Sequence, residues 1–280
     1  MRRIAGIFAF VTVWSVAGAQ DSPVSIKGAA YYSVEHYWDS LSADNVFHET
    51  TVLFFGDKIS LYRSYDRLQT EAAAKKNLTY TKVPGSSVIR VSGIEVVTGS
   101  RDLFYTNFDT HTITRVRPFY NPNYRMPEKF DRINWEILPE TKKIGNYTCQ
   151  KARAYVRGRL FTVWFCNDIP VPFGPWKLNG LPGLILEATD KSGTLSFRFQ
   201  KFEWMNDTQE FIPPVSESAI VTTEIAFEKM RKAYYENPNT FSGAITSTGH
   251  LSGGTINTRK VVFNNPMDLL SKAPPMPYNY

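Results

Sequence analysis

The residues of this 280-residue sequence that could do chemistry are two cysteines, four histidines and a scatter of carboxylates. His36, His48, His111 and His250 never stand at the i, i+4 spacing that puts two imidazoles on one helix face. His48-Glu49 also lacks the second histidine of a His-Glu-x-x-His zinc site. In Gly249-His250-Leu251-Ser252-Gly253 the serine falls in the wrong place for a nucleophile elbow, and its surroundings read as loop. There is no Gly-x-Gly-x-x-Gly or Walker-type phosphate loop. The expectation is therefore no metal and no cofactor. Glu35, Glu49, Glu95, Glu136 and Glu187 lie on or near strand-like segments, where most glutamates are solvated. Hydrolysis of a glycan needs two carboxylates at a set separation, a quantity in space and not in sequence. A glycan- or peptide-bond hydrolase with dispersed carboxylates thus stands as the rival to a binding module.

The cysteines constrain structure more than chemistry. With Arg157-Gly158 as a two-residue turn, Val156 faces Arg159, and the same antiparallel register sets Cys149 directly opposite Cys166. Counted from a hydrogen-bonded 156–159 pair, that is a non-hydrogen-bonded site. There Cα atoms approach to about 4.5 Å, a distance a disulfide accepts, so a structural disulfide is expected. One face of the hairpin is apolar: Ala152, Ala154 and Val156 with Phe161, Val163 and Phe165. The other mixes Lys151, Arg153 and Tyr155 with Leu160, Thr162 and Trp164, as a wetter surface or a ligand cavity would. Tyr155 and Trp164 are therefore candidate ligand-face rings, joined by Trp176 in a proline-rich loop where exposure is expected.

The elements that must position these residues are mostly strands. Aromatics make up 14% of the chain and fall in alternating runs bounded by turn residues. Val46–Phe55 and Lys58–Tyr65 read as a hairpin about Gly56-Asp57. Further strands are expected at 88–97, 101–108, 112–117, 131–138, 147–156, 159–166, 184–189, 194–204 and 255–263. Two helices interrupt them, Asp66–Leu78 with Asp66 as N-cap and Thr222–Glu236. The fold class is mainly β (α+β), one domain, an antiparallel sheet with two helices. Arg2-Arg3, the apolar run Ile4–Val16 and Ala17-Gly18-Ala19 read as a signal peptide over residues 1–19, leaving 20–280 as the domain. The run is too short to span a bilayer, and no other long apolar segment follows. The product is expected in the periplasm or outside the cell. A net charge of +6 is too mild to argue for nucleic acid.

The most specific stretch runs from Ile169 to Glu187 and contains Gly180-Leu181-Pro182-Gly183-Leu184-Ile185. Pro182-Gly183 suits the centre of a type II turn, with Gly183 at the position needing φ > 0. Other distinctive segments are Phe47-His48-Glu49, Ile133-Asn134-Trp135, Cys149-Gln150-Lys151-Ala152, Arg157-Gly158-Arg159 and Asn265-Pro266-Met267-Asp268-Leu269. Together these resemble the GLPGLI family over nearly the whole chain, Cys166 being a departure where a threonine-like residue is the pattern. The resemblance implies an exported bacterial protein without assigned activity, similar to the bowl-like N-terminal domain of a bacterial peptide N-glycosidase. It implies a curved, open antiparallel sheet and no catalytic residue. The leading reading is a non-catalytic binding or carrier module. Its partner would be an apolar or glycan-like small molecule held on a concave aromatic face, or an envelope protein contacting the loop Ile169–Gly183.

Overall fold

The computed structural model describes residues 23–37, 46–82, 89–93, 96–119, 122–205, 208–236 and 267. The expected signal segment 1–19, the strand expected at 255–263 and the terminal motif other than Met267 lie outside these. In chain order the elements are β1 (Val24–Ser25), β2 (Gly28–Tyr37), β3 (Val46–Phe55), β4 (Ile59–Ser64), α1 (Tyr65–Asn77), β5 (Thr79–Lys82), β6 (Ile89–Ser92), β7 (Leu103–Asn107) and β8 (Thr112–Pro118). Then follow β9 (Asn123–Lys129), β10 (Glu136–Ile144), β11 (Tyr147–Val156), β12 (Arg159–Cys166), β13 (Leu184–Asp190), β14 (Leu195–Trp204), β15 (Phe211–Ile212), β16 (Ile220–Val221) and α2 (Glu224–Glu236).

Twelve strands form one open sheet in the order β10-β11-β12-β13-β14-β2-β3-β4-β7-β8-β9-β16, antiparallel except for the short β16 beside β9. The sheet curls until its far parts meet. Glu128 on β9 pairs with Arg157 in the β11–β12 turn at 2.6 Å and with Lys177 at 2.7 Å. The mainly β, open-sheet architecture with two helices is as the sequence indicates.

Alternation accounts for the faces. Ala152, Val163, Ala188, Phe197 and Val34 are cross-strand neighbours, and all are buried on the concave side. The β11–β12 hairpin keeps its expected bounds and register, with Arg157 at φ 51° and Gly158 at φ 80°, the left-handed pair a two-residue turn demands.

Three local expectations fail. Phe55 pairs with Ser60, so Gly56 through Ile59 make a longer turn than Gly56-Asp57 alone. A Cβ at Gly56 would meet Val24 at 2.6 Å, so glycine is required for packing under β1. Helix α1 is capped by Ser64, whose hydroxyl accepts from the Arg67 N–H, while Asp66 accepts from the Thr50 N–H at 2.8 Å and ties the helix to β3. Residues 131–135 are not strand; β10 begins at Glu136 and continues through Pro139 with a register shift. Proline and that irregularity are tolerated because β10 is an edge.

Cys149 and Cys166 face each other as expected, yet both are free thiols, which corrects the disulfide. Register brings the two thiols within hydrogen-bond reach of each other without joining them. Cys149 Sγ lies 3.8 Å from the Tyr147 carbonyl, and Cys166 is engaged by the backbone of Asp168 and Ile169. Burial, helped by Cys166 and Glu187, pushes the Cys149 thiol up to about 12.

Candidate functional site

The hollow of the curved sheet is filled by the chain itself. The segment between β12 and β13 folds back into it, with Ile169, Phe173, Trp176, Leu178 and Leu181 all at 1–2% exposure. Phe173 lies 5.8 Å from the Phe55 ring and 5.3 Å edge-on from Phe108, and Trp176 packs on Phe161 at 6.1 Å. Backbone hydrogen bonds close the loop on itself and on β13: Gly180 N–H to the Pro172 carbonyl at 2.8 Å, Leu184 N–H to Ile169 at 2.9 Å and Ile185 N–H to Phe173 at 3.1 Å. Tyr32 Oη reaches across to the Ile185 carbonyl at 2.9 Å. Trp176 is thus a core residue and not an exposed ring. Its backbone is held at φ 56°, unfavourable for so large a side chain. Ile169–Gly183 is equally unsuited to be an exposed apolar contact for a partner.

The Gly180–Ile185 motif is explained by this plug. Gly183 does not adopt the positive φ of a type II turn; a Cβ there would sit 2.0 Å from the Cys166 carbonyl oxygen, so close approach is what demands glycine. Gly180, at φ 90°, is the residue that needs left-handed freedom. Leu184 and Ile185 are fully buried, and Pro182 is exposed at the rim.

On the outer face, the two remaining candidate rings do not form one platform. Tyr155 is 76% exposed near the hairpin turn. Trp164 is half-buried under Lys142, whose ammonium lies 4.6 Å from the ring centre and is held there by Glu187 at 2.5 Å. A ring face capped by a paired lysine is poorly placed to stack on a ligand.

The carboxylates divide by environment. Glu35 pairs with Arg198 at 3.2 Å and Glu136 takes a two-pronged bond from Arg153 at 2.6 and 3.1 Å. Glu49 is buried, accepts from the Ser100 N–H and is pushed above the usual carboxylate range chiefly by burial, with Asp66 and Asp102 adding to it. Burial acts on Asp102 in the same direction, but Arg115, Arg117 and Arg231 outweigh it and hold that carboxyl at about 2. Arg115 also bonds Glu224, fixing α2 to the sheet through charge. Glu95 lies outside the described residues. Among those described, no three His, Cys, Asp or Glu side chains gather as a metal site. No helix there is long and apolar enough to cross a membrane.

An open cleft of about 380 Å³ remains at the rim, walled by residues 132–137 on one side and Gly180-Leu181-Pro182 on the other. Trp135 is fixed in it: its indole N–H donates to the Asn179 carbonyl at 2.9 Å, and part of the ring packs on the core. Arg132, Asn134 and Glu136 are exposed beside it, so an apolar ring and three polar groups converge. Composition and periodicity do not reveal this cleft. The signal was the pair of distinctive segments, Ile133-Asn134-Trp135 and Gly180–Ile185, about 45 residues apart yet adjacent in space.

Residues 125–219 match the sequence model of a family described as "N-glycanase peptide, N-terminal domain". Both walls of the cleft fall within that stretch. Two solved structures of PNGF-II are similar. The C2 crystal form has 13% identity and a TM-score of 0.47, covering 74% of this chain and 32% of that one. The P21 form has 13% identity and a TM-score of 0.48, covering 74% and 33%. The chain therefore spans about a third of the length of those proteins. No curated protein matches the sequence.

Proposed function

We propose that this protein is an exported, non-catalytic binding module of GLPGLI type, and that it holds a glycan-like ligand in the rim cleft beside Trp135. The observation that carries the proposal is the meeting of the most specific segment, at Gly180-Leu181-Pro182, with another distinctive one, Ile133-Asn134-Trp135, as opposite walls of one open cleft, around an indole locked by its own N–H. A fixed aromatic face with hydroxyl- and amide-reach neighbours suits the apolar and polar sides of a sugar ring. The match to an N-glycanase domain over both walls favours a sugar over a lipid. The filled hollow argues against an apolar carrier, because Phe173, Trp176 and Leu178 already occupy the concave face. Hydrolysis would require a second acid; the cleft walls carry Glu136, and Arg153 holds that carboxylate in a two-pronged bond.

Calorimetric titration of an oligosaccharide panel against wild type and Asn134→Trp tests the reading. Asn134 is exposed, so a bulky ring there fills the cleft without entering the core. Binding by wild type and its loss in Asn134→Trp at unchanged Tm is expected. Equal binding by both, or none by wild type, refutes the cleft.

A further inference from the structure

The ionic balance around the cleft says more about the ligand, given that the cleft is the binding site. Five cations on the neighbouring elements are matched by acids, while Lys143 on β10 is exposed outside the cleft lining. Arg153 is taken by Glu136 at 2.6 Å, Lys151 by Glu140 at 3.3 Å, Lys142 by Glu187 at 2.5 Å, and Arg157 and Lys177 share Glu128. Arg132 differs. It is exposed, it lines the cleft, and among the described residues no carboxylate pairs with it. Glu136, the acid on the same wall, has both oxygens engaged by Arg153. Among the described residues, the cleft lining therefore presents one guanidinium without a carboxylate partner, three residues from a fixed indole and beside the Asn134 amide.

We infer that the ligand is an acidic saccharide carrying a ring carboxylate, of the uronic-acid class, with the carboxylate on Arg132 and the sugar ring against Trp135. A planar guanidinium offers two parallel N–H donors matched to the two oxygens of a carboxylate, a geometry that lysine does not supply. The hydroxyls of a neutral saccharide can accept from that fork but without the charge assistance of a carboxylate. Asn134 can both donate to and accept from ring hydroxyls. A cleft of about 380 Å³ sits at the small end of ligand sites, which fits one or two sugar units and not a long chain.

The test compares tri-galacturonate with its methyl ester by calorimetry at low salt, on wild type, Arg132→Gln and Lys191→Gln. The ester keeps the rings and removes the charge. The acid is expected to bind on the order of tenfold more tightly than the ester, as a charge-assisted hydrogen bond at a partly exposed site implies. Arg132→Gln should abolish that preference, so that acid and ester bind with equal Kd. Lys191→Gln, which removes an exposed cation on another turn, should keep it. High salt should shrink the preference in wild type. Equal Kd values for acid and ester, or a preference that survives Arg132→Gln, overturn the acidic-ligand inference and leave the cleft standing. Failure of both ligands to bind wild type also overturns the acidic-ligand inference, and the cleft itself falls only if the wider oligosaccharide panel fails too.

Discussion

Replacing Phe173 with alanine tests whether the hollow is core or binding surface. Phe173 is 1% exposed and contacts rings from two separate parts of the sheet, Phe55 at 5.8 Å and Phe108 at 5.3 Å. Truncating a buried phenylalanine costs about 3–5 kcal/mol, the higher end applying where the walls cannot collapse. Here both walls belong to hydrogen-bonded strands or their immediate ends, so about 4 kcal/mol is expected. For a domain of this size each kcal/mol moves Tm by about 2–4 °C, giving a drop of roughly 8–16 °C. Urea unfolding followed by tryptophan fluorescence should show a lower midpoint at unchanged m-value. Tyr155→Ala, at a ring 76% exposed, is the matched control and should stay within about 0.5 kcal/mol of wild type. A loss below about 1 kcal/mol for Phe173→Ala, similar to that control, would show that the loop does not plug the hollow.

Two further predictions concern buried ionisable groups. Glu49 is raised by burial, so its carboxylate weakens the fold above the folded-state pKa, and the penalty is relieved as pH falls through that value toward the unfolded one. Glu49→Gln keeps an acceptor for the Ser100 N–H and should stabilise the protein at pH 8, with the gain vanishing at pH 4 in paired thermal melts. Cys149 is protonated at pH 8, because burial pushes its thiol to about 12. Iodoacetamide followed by mass spectrometry should leave it largely unlabelled in the native protein, with two modified cysteines after unfolding in urea without reductant.

The strands were legible wherever one face is buried and the other solvated. The β11–β12 hairpin could be read to the residue because alternation, turn and cysteine positions all imposed one register. β2 escaped notice: Gly28 through Tyr32 are buried on both faces, so its sequence does not alternate. β9 was hidden by Pro127 and by the prolines before it, which near a sheet edge are permitted and not disruptive. Trp176 was misplaced because proline-rich loops normally lie on the surface. Here Phe173 to Asn179 turn inward as a plug, and the plug's apolar content was the clue. Pro182-Gly183 points to a conformational glycine, whereas the role of Gly183 is steric, a distinction that depends on the Cys166 carbonyl across the turn. The charge cluster of Asp102, Arg115 and Glu224 joins residues far apart in sequence, and no local pattern announces it.

Hydroxyl-radical footprinting of the native protein, free and with tri-galacturonate, tests the division between filled hollow and open rim most directly. Low oxidation of Phe173 and Trp176 in both states is expected, with ligand protection confined to residues 132–137 and Pro182. Strong oxidation of Phe173 or Trp176 in the free protein, suppressed by the saccharide, would place the ligand in the hollow and contradict the rim cleft.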